Sequence, residues 1–140
     1  MSPEQVQAVQ NSFRTLEPVA ESAMMKFYDR LFEVDPTLRT MFRSSREEQA
    51  KKLAMVVGVV VKSLDRPEQI LGAVKELGRR HLDYGVTDAH YDAVGAALLW
   101  TLEQGLGDAF TPEVKDGWTS AYGLLAGIMR EAAAAAAASA

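Results

Sequence analysis

Apolar residues recur along the chain at intervals of three and four, the spacing that places side chains on one face of an α-helix. The first such run, Val6, Val9, Phe13 and Leu16, follows the segment SPEQ at residues 2–5. That segment combines a serine N-cap, a proline at the first helical position and a glutamine at the reciprocal capping position. We therefore expect the first helix to begin at residue 3.

Polar and proline-containing breaks divide the rest of the pattern into further helices. Their starts are expected at Pro18, Asp35-Pro36, Ser45, Pro67, Thr87 or Asp88, and Thr111-Pro112. The longest run, residues 46–64, predicts a helix of roughly 28 Å, and Gly85 and Gly107 predict helix ends. No stretch alternates with a period of two between turn signals, so the chain is predicted to be all-α with about seven helices.

Composition narrows the classes of protein that this chain could belong to. Its 140 residues contain no internal repeat or linker, which predicts one domain. We place a domain at residues 1–131 and expect the alanine-rich residues 132–140 to extend the last helix and to fray. A net charge of −4 argues against nucleic-acid binding. The lack of cysteine excludes thiolate metal sites, a cysteine nucleophile and disulfides.

Three features of the pattern bear on location and assembly. The N-terminal residues show no basic segment followed by an apolar one, so no signal peptide is predicted. The longest apolar stretch, around residues 53–61, is too short to cross a bilayer. We therefore expect a cytoplasmic protein with no membrane partner. Because the exposed helix faces show no obvious apolar patch, we expect a monomer or weak dimer.

His81, one of two histidines, is the strongest candidate for a metal ligand. Val74, Leu77 and Gly78 precede it at helical spacing, so His81 shares the inner face of its helix. The carbonyl of Leu77 is placed to accept a hydrogen bond from Nδ1–H, which would leave Nε2 free to bind a metal axially. On these residues alone, a histidine that is satisfied within the core or at a helix cap remains an alternative.

Several short motifs occur in an order that carries a family resemblance. They are FYDRLF at 27–32, Phe42 after Asp35-Pro36, RH at 80–81 with YGV at 84–86, AHY at 89–91 with VG at 94–95, and Trp118 with AYG at 121–123. From about Val6 to Met129 the chain resembles the single-domain bacterial haemoglobins, which are similar to the haem domain of flavohaemoglobins. The resemblance implies a globin fold, and the short polar break after Phe42 leaves little room for the D helix that some globins have.

The same resemblance implies haem b (iron protoporphyrin IX) as the cofactor, with His81 as the ligand to the iron. It assigns further cofactor contacts to Tyr28, Phe42, Gln49, Leu53, Leu77, Val86, Tyr91 and Val94. Each has an ordinary alternative: the apolar residues could simply be core, Tyr28 could be a core tyrosine bonded to a carbonyl, and Gln49 could face solvent.

Tyr28 and Gln49 are the two distal side chains that could donate hydrogen bonds to bound dioxygen.

One acidic residue of the family pattern is not at its expected position in this chain. In flavohaemoglobins a glutamate late in the last helix joins the proximal histidine and a tyrosine, here matched by Tyr91. Its position falls at about Ala133, whereas the nearest acid is Glu131. We predict that electron donation to the iron from this network is weakened or absent.

These observations favour a protein that binds dioxygen reversibly, for storage, delivery or sensing, with nitric oxide and carbon monoxide as other diatomic ligands. The alternative is a nitric oxide dioxygenase. Because the chain ends after the haem domain, we expect such an enzyme to need a separate reductase. Peroxidase activity is less favoured because of the displaced acid, and a haem-free helical interaction protein is the remaining alternative.

Overall fold

The computed structural model describes residues 1–42 and 44–139 and is all-α over those residues. The α-helices are α1 (Pro3–Leu16), α2 (Ala20–Val34), α3 (Arg46–Lys62), α4 (Leu71–Asp83), α5 (Asp88–Leu106) and α6 (Pro112–Ser139). Short 3-10 helices cover Glu17–Val19, Pro36–Met41, Pro67–Gln69 and Gly107–Ala109. With the six-residue Pro36–Met41 helix counted, the prediction of about seven helices in an all-α fold is confirmed.

Local hydrogen bonds explain where the helices begin. Ser2 Oγ accepts from the Gln5 backbone N–H at 3.1 Å, and Gln5 Oε1 accepts from the Ser2 backbone N–H at 3.0 Å. Asp35 accepts from the Thr37 backbone N–H at the start of the Pro36–Met41 helix. Ser45 Oγ accepts from the backbone N–H three residues later, at the start of α3. These side chains satisfy donors that a helix start leaves unpaired, so the starts predicted at residue 3, at Asp35-Pro36 and at Ser45 are confirmed.

Three boundaries differ from the prediction. Pro18 lies in a 3-10 turn, and α2 begins at Ala20. The α3 helix ends at Lys62 rather than at residue 64, because its last turn tightens. The Ser63 N–H is shared between the carbonyls of Val59 and Val60, and the Leu64 N–H donates to the Val61 carbonyl three residues back. Pro67 opens a 3-10 turn rather than α4 itself, which begins at Leu71. Arg43 of the predicted polar break and residue 140 of the predicted extension lie outside the described residues.

The main apolar core lies among α1, α2, α3, α5 and α6. Its most completely buried side chains include Val9, Leu16, Met24, Leu31 and Leu102. Burying one such side chain stabilises the fold by about 1.5–3 kcal/mol. The α2 helix packs on both α3 and α5, while α1 packs on α6. The α3 helix therefore lies packed against α2.

A second, smaller apolar cluster lies where α4 packs on α6. It is built on Val74, Tyr91, Ala126 and Met129. The two helices approach closely at Gly78, where an added Cβ would lie 2.5 Å from the Met129 carbonyl oxygen. Because α4 packs chiefly on α6 and α3 chiefly on α2, the two helices α3 and α4 make little contact with each other over the described residues.

The outer face of α3 exposes apolar side chains, which the sequence did not lead us to expect. Met55 and Val59 are 65% and 55% exposed, and Met55 shares a shallow groove with the exposed Val19. The expectation that no apolar patch is exposed is therefore wrong at this face. Over the described residues, no helix combines the length and the apolar character needed to cross a membrane.

Candidate functional site

His81 lies in the last turn of α4 with its ring half-buried. Its Nδ1 is 2.8 Å from the Leu77 carbonyl oxygen, as the sequence predicts. A carbonyl can only accept, so the proton of the neutral ring lies on Nδ1 and the lone pair on Nε2. Burial lowers the pKa of His81, partly opposed by this hydrogen bond, so the neutral form is favoured. The ring is thus prepared to bind a metal through Nε2.

The surroundings of His81 are apolar and aromatic. The Tyr91 ring lies 6.4 Å from the imidazole, centroid to centroid, at an interplanar angle of 25°. The exposed Tyr84 lies 5.8 Å away on the same helix end, which Gly85 terminates with a φ of +80°. Leu77 and Val86 are half-buried and pack against the second cluster, to which Tyr91 belongs. The structure thus brings four of the predicted residues together: Leu77, His81, Val86 and Tyr91.

Tyr28 occupies the opposite half of the predicted site, on α2. Its ring lies 5.3 Å from that of Phe42 and 5.9 Å from that of Phe32, and its side chain is 6% exposed. Burial raises the pKa of Tyr28 to about 12, so the hydroxyl stays protonated near neutral pH. No hydrogen bond of the described residues uses this hydroxyl, which leaves it available as a donor.

Gln49 and Leu53 lie one turn apart on α3, and both are half-buried. The start of α3 is fixed to α2 by Arg46, whose guanidinium lies 3.4 Å from the Asp29 carboxylate. Leu53 packs against the main core, as Phe42 does. Gln49 is therefore neither buried in the core nor fully exposed to solvent, and no side-chain hydrogen bond occupies its amide within the described residues.

Helix α5 connects the two halves of the site. Tyr91 and Val94 lie one turn apart on it, and Tyr91 belongs to the second cluster whereas Val94 packs against the main core. Tyr122 of α6 packs against both clusters and donates a hydrogen bond to the Tyr91 carbonyl at 2.5 Å. Two surface grooves, one between α4 and the end of α6 and one at the α1–α2 corner, lie away from these residues.

Sequence reasoning missed a charged cluster beside Tyr91. The Arg130 guanidinium carbon lies 4.9 Å from the centre of the Tyr91 ring. Arg130 Nη2 is 3.3 Å from the Asp92 carboxylate, and its Nε is 3.6 Å from the Asp88 carboxylate. Two acids at i and i+4 in the first turns of α5 indicate a cationic partner, but nothing in the sequence says that α6 supplies it.

The displaced acid noted in the sequence, Glu131, makes no hydrogen bond to the Tyr91 hydroxyl group. Glu131 is exposed, and Ala133 is half-buried. The Tyr91 hydroxyl is buried without a hydrogen-bond partner. Burial raises the pKa of Tyr91, and the Arg130 charge opposes this rise more strongly than the nearby Asp88 adds to it. The charge that dominates around this tyrosine is therefore positive.

Comparisons with known proteins agree with this arrangement. The family model Globin matches residues 25–129, and the chain belongs to the globin family. A flavohemoprotein of Deinococcus radiodurans is 34% identical over 132 residues, which cover 92% of this chain and 33% of that protein. A flavohemoprotein of Bacillus subtilis is 31% identical over 124 residues, covering 86% of this chain and 31% of that protein. The chain thus spans about a third of the length of these curated relatives.

Two solved structures are similar over nearly the whole fold. A bacterial globin from Campylobacter jejuni superimposes with a TM-score of 0.84 at 27% identity, covering 94% of this chain and 96% of that one. An engineered carbene transferase, made from a candidate nitric oxide dioxygenase of Rhodothermus marinus, gives a TM-score of 0.88 at 28% identity, with 99% and 96% covered. The fold predicted from the sequence resemblance is confirmed.

Proposed function

We propose that the protein is a haem protein that binds dioxygen and other diatomic ligands reversibly. The observation that carries the proposal is the hydrogen bond from His81 Nδ1–H to the Leu77 carbonyl, which fixes the ring and directs the lone pair to Nε2. A single histidine nitrogen suits a metal whose equatorial ligands come from a macrocycle. Membership of the globin family and the relatives named flavohemoprotein support haem as that macrocycle.

The residues present fit haem. Half-buried apolar side chains border the site on both sides, where a flat and largely apolar group could cover them: Phe42, Leu53, Leu77, Val86 and Val94. The buried and unpaired Tyr91 hydroxyl adds a polar atom at the same place. Because the chain has no cysteine for covalent attachment, we propose haem b, held by these contacts and by His81. When bound, its ferrous iron would supply the centre at which a diatomic gas is held.

The distal residues would select and hold the ligand. Tyr28 keeps its proton because burial raises its pKa to about 12, so it can donate a hydrogen bond without itself becoming charged. Gln49 can donate from its amide. The aromatic neighbours of Tyr28 limit water beside its hydroxyl, which strengthens a hydrogen bond formed there. A ligand that accumulates negative charge, as dioxygen does, would be favoured over a neutral one.

The alternative function is nitric oxide dioxygenase, in which one nitric oxide, one dioxygen and one electron give nitrate. The relatives named flavohemoprotein and the Rhodothermus marinus structure favour it, and it would use the same three side chains: Tyr28, Gln49 and His81. A separate reductase would supply the electron. Cytoplasmic location, a monomeric or weakly dimeric state and a domain boundary after residue 131 stay predictions from the sequence.

A matched pair of histidine variants tests the haem assignment. His81→Ala removes the proposed ligand, whereas His90→Ala removes a histidine whose Nδ1 accepts from the Thr87 backbone N–H at 3.0 Å, a helix-start role. We expect His81→Ala to lose haem on purification and His90→Ala to retain it, with stability lower by about 1 kcal/mol. Retention of a normal haem spectrum by His81→Ala would contradict the assignment.

The two functions differ in turnover. With ferrous protein, a reductase and dioxygen, a dioxygenase consumes nitric oxide repeatedly and produces nitrate in equal amount. An oxygen carrier reacts about once per haem and then stays ferric unless it is reduced slowly. Stopped-flow consumption of nitric oxide at several protein concentrations distinguishes the two. Rapid multiple turnover would favour the dioxygenase, and a single turnover would favour the carrier.

A further inference from the structure

Arg130 stands out because it places a positive charge beside the predicted metal ligand. Its guanidinium carbon is 4.9 Å from the Tyr91 ring centre, and the Tyr91 ring lies nearly parallel to the His81 imidazole at 6.4 Å. Together these separations put the charge at most about 11 Å from the imidazole centre, a distance at which charges still interact in a partly buried setting.

The two acids around Arg130 do not cancel this charge at the ring. Asp88 and Asp92 have side chains that are 89% and 82% exposed, so water screens them strongly, whereas Arg130 is 38% exposed and its Nε is buried. The pKa of Tyr122 is raised by burial, and the Arg130 charge is the largest influence that opposes this rise. The field of Arg130 therefore reaches both tyrosines in this part of the protein.

We propose that the positive charge of Arg130, held against the Tyr91 ring beside His81, favours ferrous over ferric haem by its electric field. The proposal rests on the proposed haem function. It assigns the proximal side a positive charge in place of the negative one that a glutamate would supply. A positive charge opposes the extra positive charge of ferric iron, so its removal should lower the midpoint potential.

The expected size follows from the distance. A unit charge about 11 Å from the imidazole, at an effective dielectric of about 20, changes an equilibrium at the imidazole by about tenfold, and screening by the two acids reduces this. We expect Arg130→Gln to shift the ratio of ferrous to ferric haem at fixed potential by about threefold to tenfold toward ferric, which is about 30–60 mV for one electron. Faster autoxidation in air should accompany the shift.

The experiment is a spectroelectrochemical titration of purified haem-loaded variants. Arg130→Lys keeps the charge and should keep most of the wild-type potential. Arg30→Gln is the matched control, since Arg30 lies 5.2 Å from the Trp100 ring and pairs with Glu33, far along the chain from His81. It removes the same charge and a similar ring contact, and should leave the potential unchanged. Thermal unfolding of each variant reports any general loss of structure.

A lower potential in Arg130→Gln alone, restored by Arg130→Lys, supports the proposal. Equal potentials in wild type and Arg130→Gln, or equal shifts in Arg130→Gln and Arg30→Gln, overturn it while the haem function stands. If wild-type protein takes up no haem, the proposed function fails and this inference fails with it.

Discussion

Replacing Tyr28 by phenylalanine separates the two roles open to a buried tyrosine. If the hydroxyl serves the fold, its loss leaves a partner unpaired and destabilises the protein. If it serves the ligand, its loss leaves the fold intact and the ligand less firmly held. The structure favours the second role, because the hydroxyl has no hydrogen-bond partner among the described residues and the ring is packed among Phe27, Phe32 and Phe42.

The magnitude follows from the same surroundings. Because the Tyr28 hydroxyl makes no hydrogen bond among the described residues, Tyr28→Phe removes no internal hydrogen bond and should leave the free energy of unfolding unchanged to within about 0.5 kcal/mol. A hydrogen bond to a partly charged ligand contributes about 1.5–3 kcal/mol, and 1.4 kcal/mol is a tenfold change. Because Gln49 can take over part of this role, we expect the dioxygen dissociation rate to rise about tenfold.

The assay is stopped-flow displacement of dioxygen by carbon monoxide, with urea unfolding of the same preparations. Tyr84→Phe is the control, since Tyr84 is 59% exposed and its hydroxyl should affect neither measurement. A wild-type dissociation rate in Tyr28→Phe would show that the hydroxyl does not face the ligand. A loss of more than about 1 kcal/mol in stability would show that it has a structural partner.

Two further predictions concern stability. Gly78→Ala should lower the free energy of unfolding by about 1–3 kcal/mol and weaken haem retention, because the added Cβ would lie 2.5 Å from the Met129 backbone. Gly72→Ala, on the same helix but with nothing within 4 Å, should raise the free energy of unfolding by about 0.5–1 kcal/mol. Urea unfolding measures both. Equal effects of the two substitutions would contradict the close α4–α6 contact. Burial raises the pKa of Tyr28 to about 12 and also raises the pKa of Tyr122. Both tyrosines are protonated below about pH 10 in the folded and the unfolded chain, whereas above about pH 10 only the unfolded chain loses their protons. The free energy of unfolding should therefore fall between about pH 10 and 12. Tyr28→Phe should remove roughly 2–3 kcal/mol of that fall, and parallel curves for variant and wild type would refute the assignment.

Much of the fold could be read from local signals. Ser2 and Ser45 predict helix starts because each serine side chain accepts its cap hydrogen bond from a backbone N–H only three residues later. The His81–Leu77 hydrogen bond is similarly local, since a histidine can reach the carbonyl one turn back in almost any helix. These predictions needed no knowledge of how the helices pack.

The inner face of α3 was harder to predict. Helical spacing places Val56 on the same face as Leu53 and Val60, which predicts that it is buried. Val56 is instead 39% exposed, whereas the buried positions include the small Ala50 and Gly58. Small residues are buried where another helix approaches closely, and an added Cβ on Gly58 would lie 3.6 Å from the Phe13 ring. Such contacts depend on tertiary packing, which the periodicity of one helix does not encode.

The charged cluster on Tyr91 could not be predicted for a related reason. Arg130 is separated from Asp92 by 38 residues and from Asp88 by 42. A late arginine in an amphipathic helix is usually a solvated charge, and only the packing of α6 against α4 and α5 brings it over an aromatic ring. Arg130 and Glu131 are adjacent in the sequence, but the contact between Arg130 and the Tyr91 ring is visible only in the structure.

The most direct test of the account is an absorption spectrum of the purified protein, loaded with haem if necessary and reduced with dithionite, before and after carbon monoxide. We predict a five-coordinate ferrous spectrum that shifts sharply on adding carbon monoxide, because His81 would bind the iron and the other histidine, His90, is held by the Thr87 backbone N–H. A colourless protein that also fails to take up added haem would contradict the central claim.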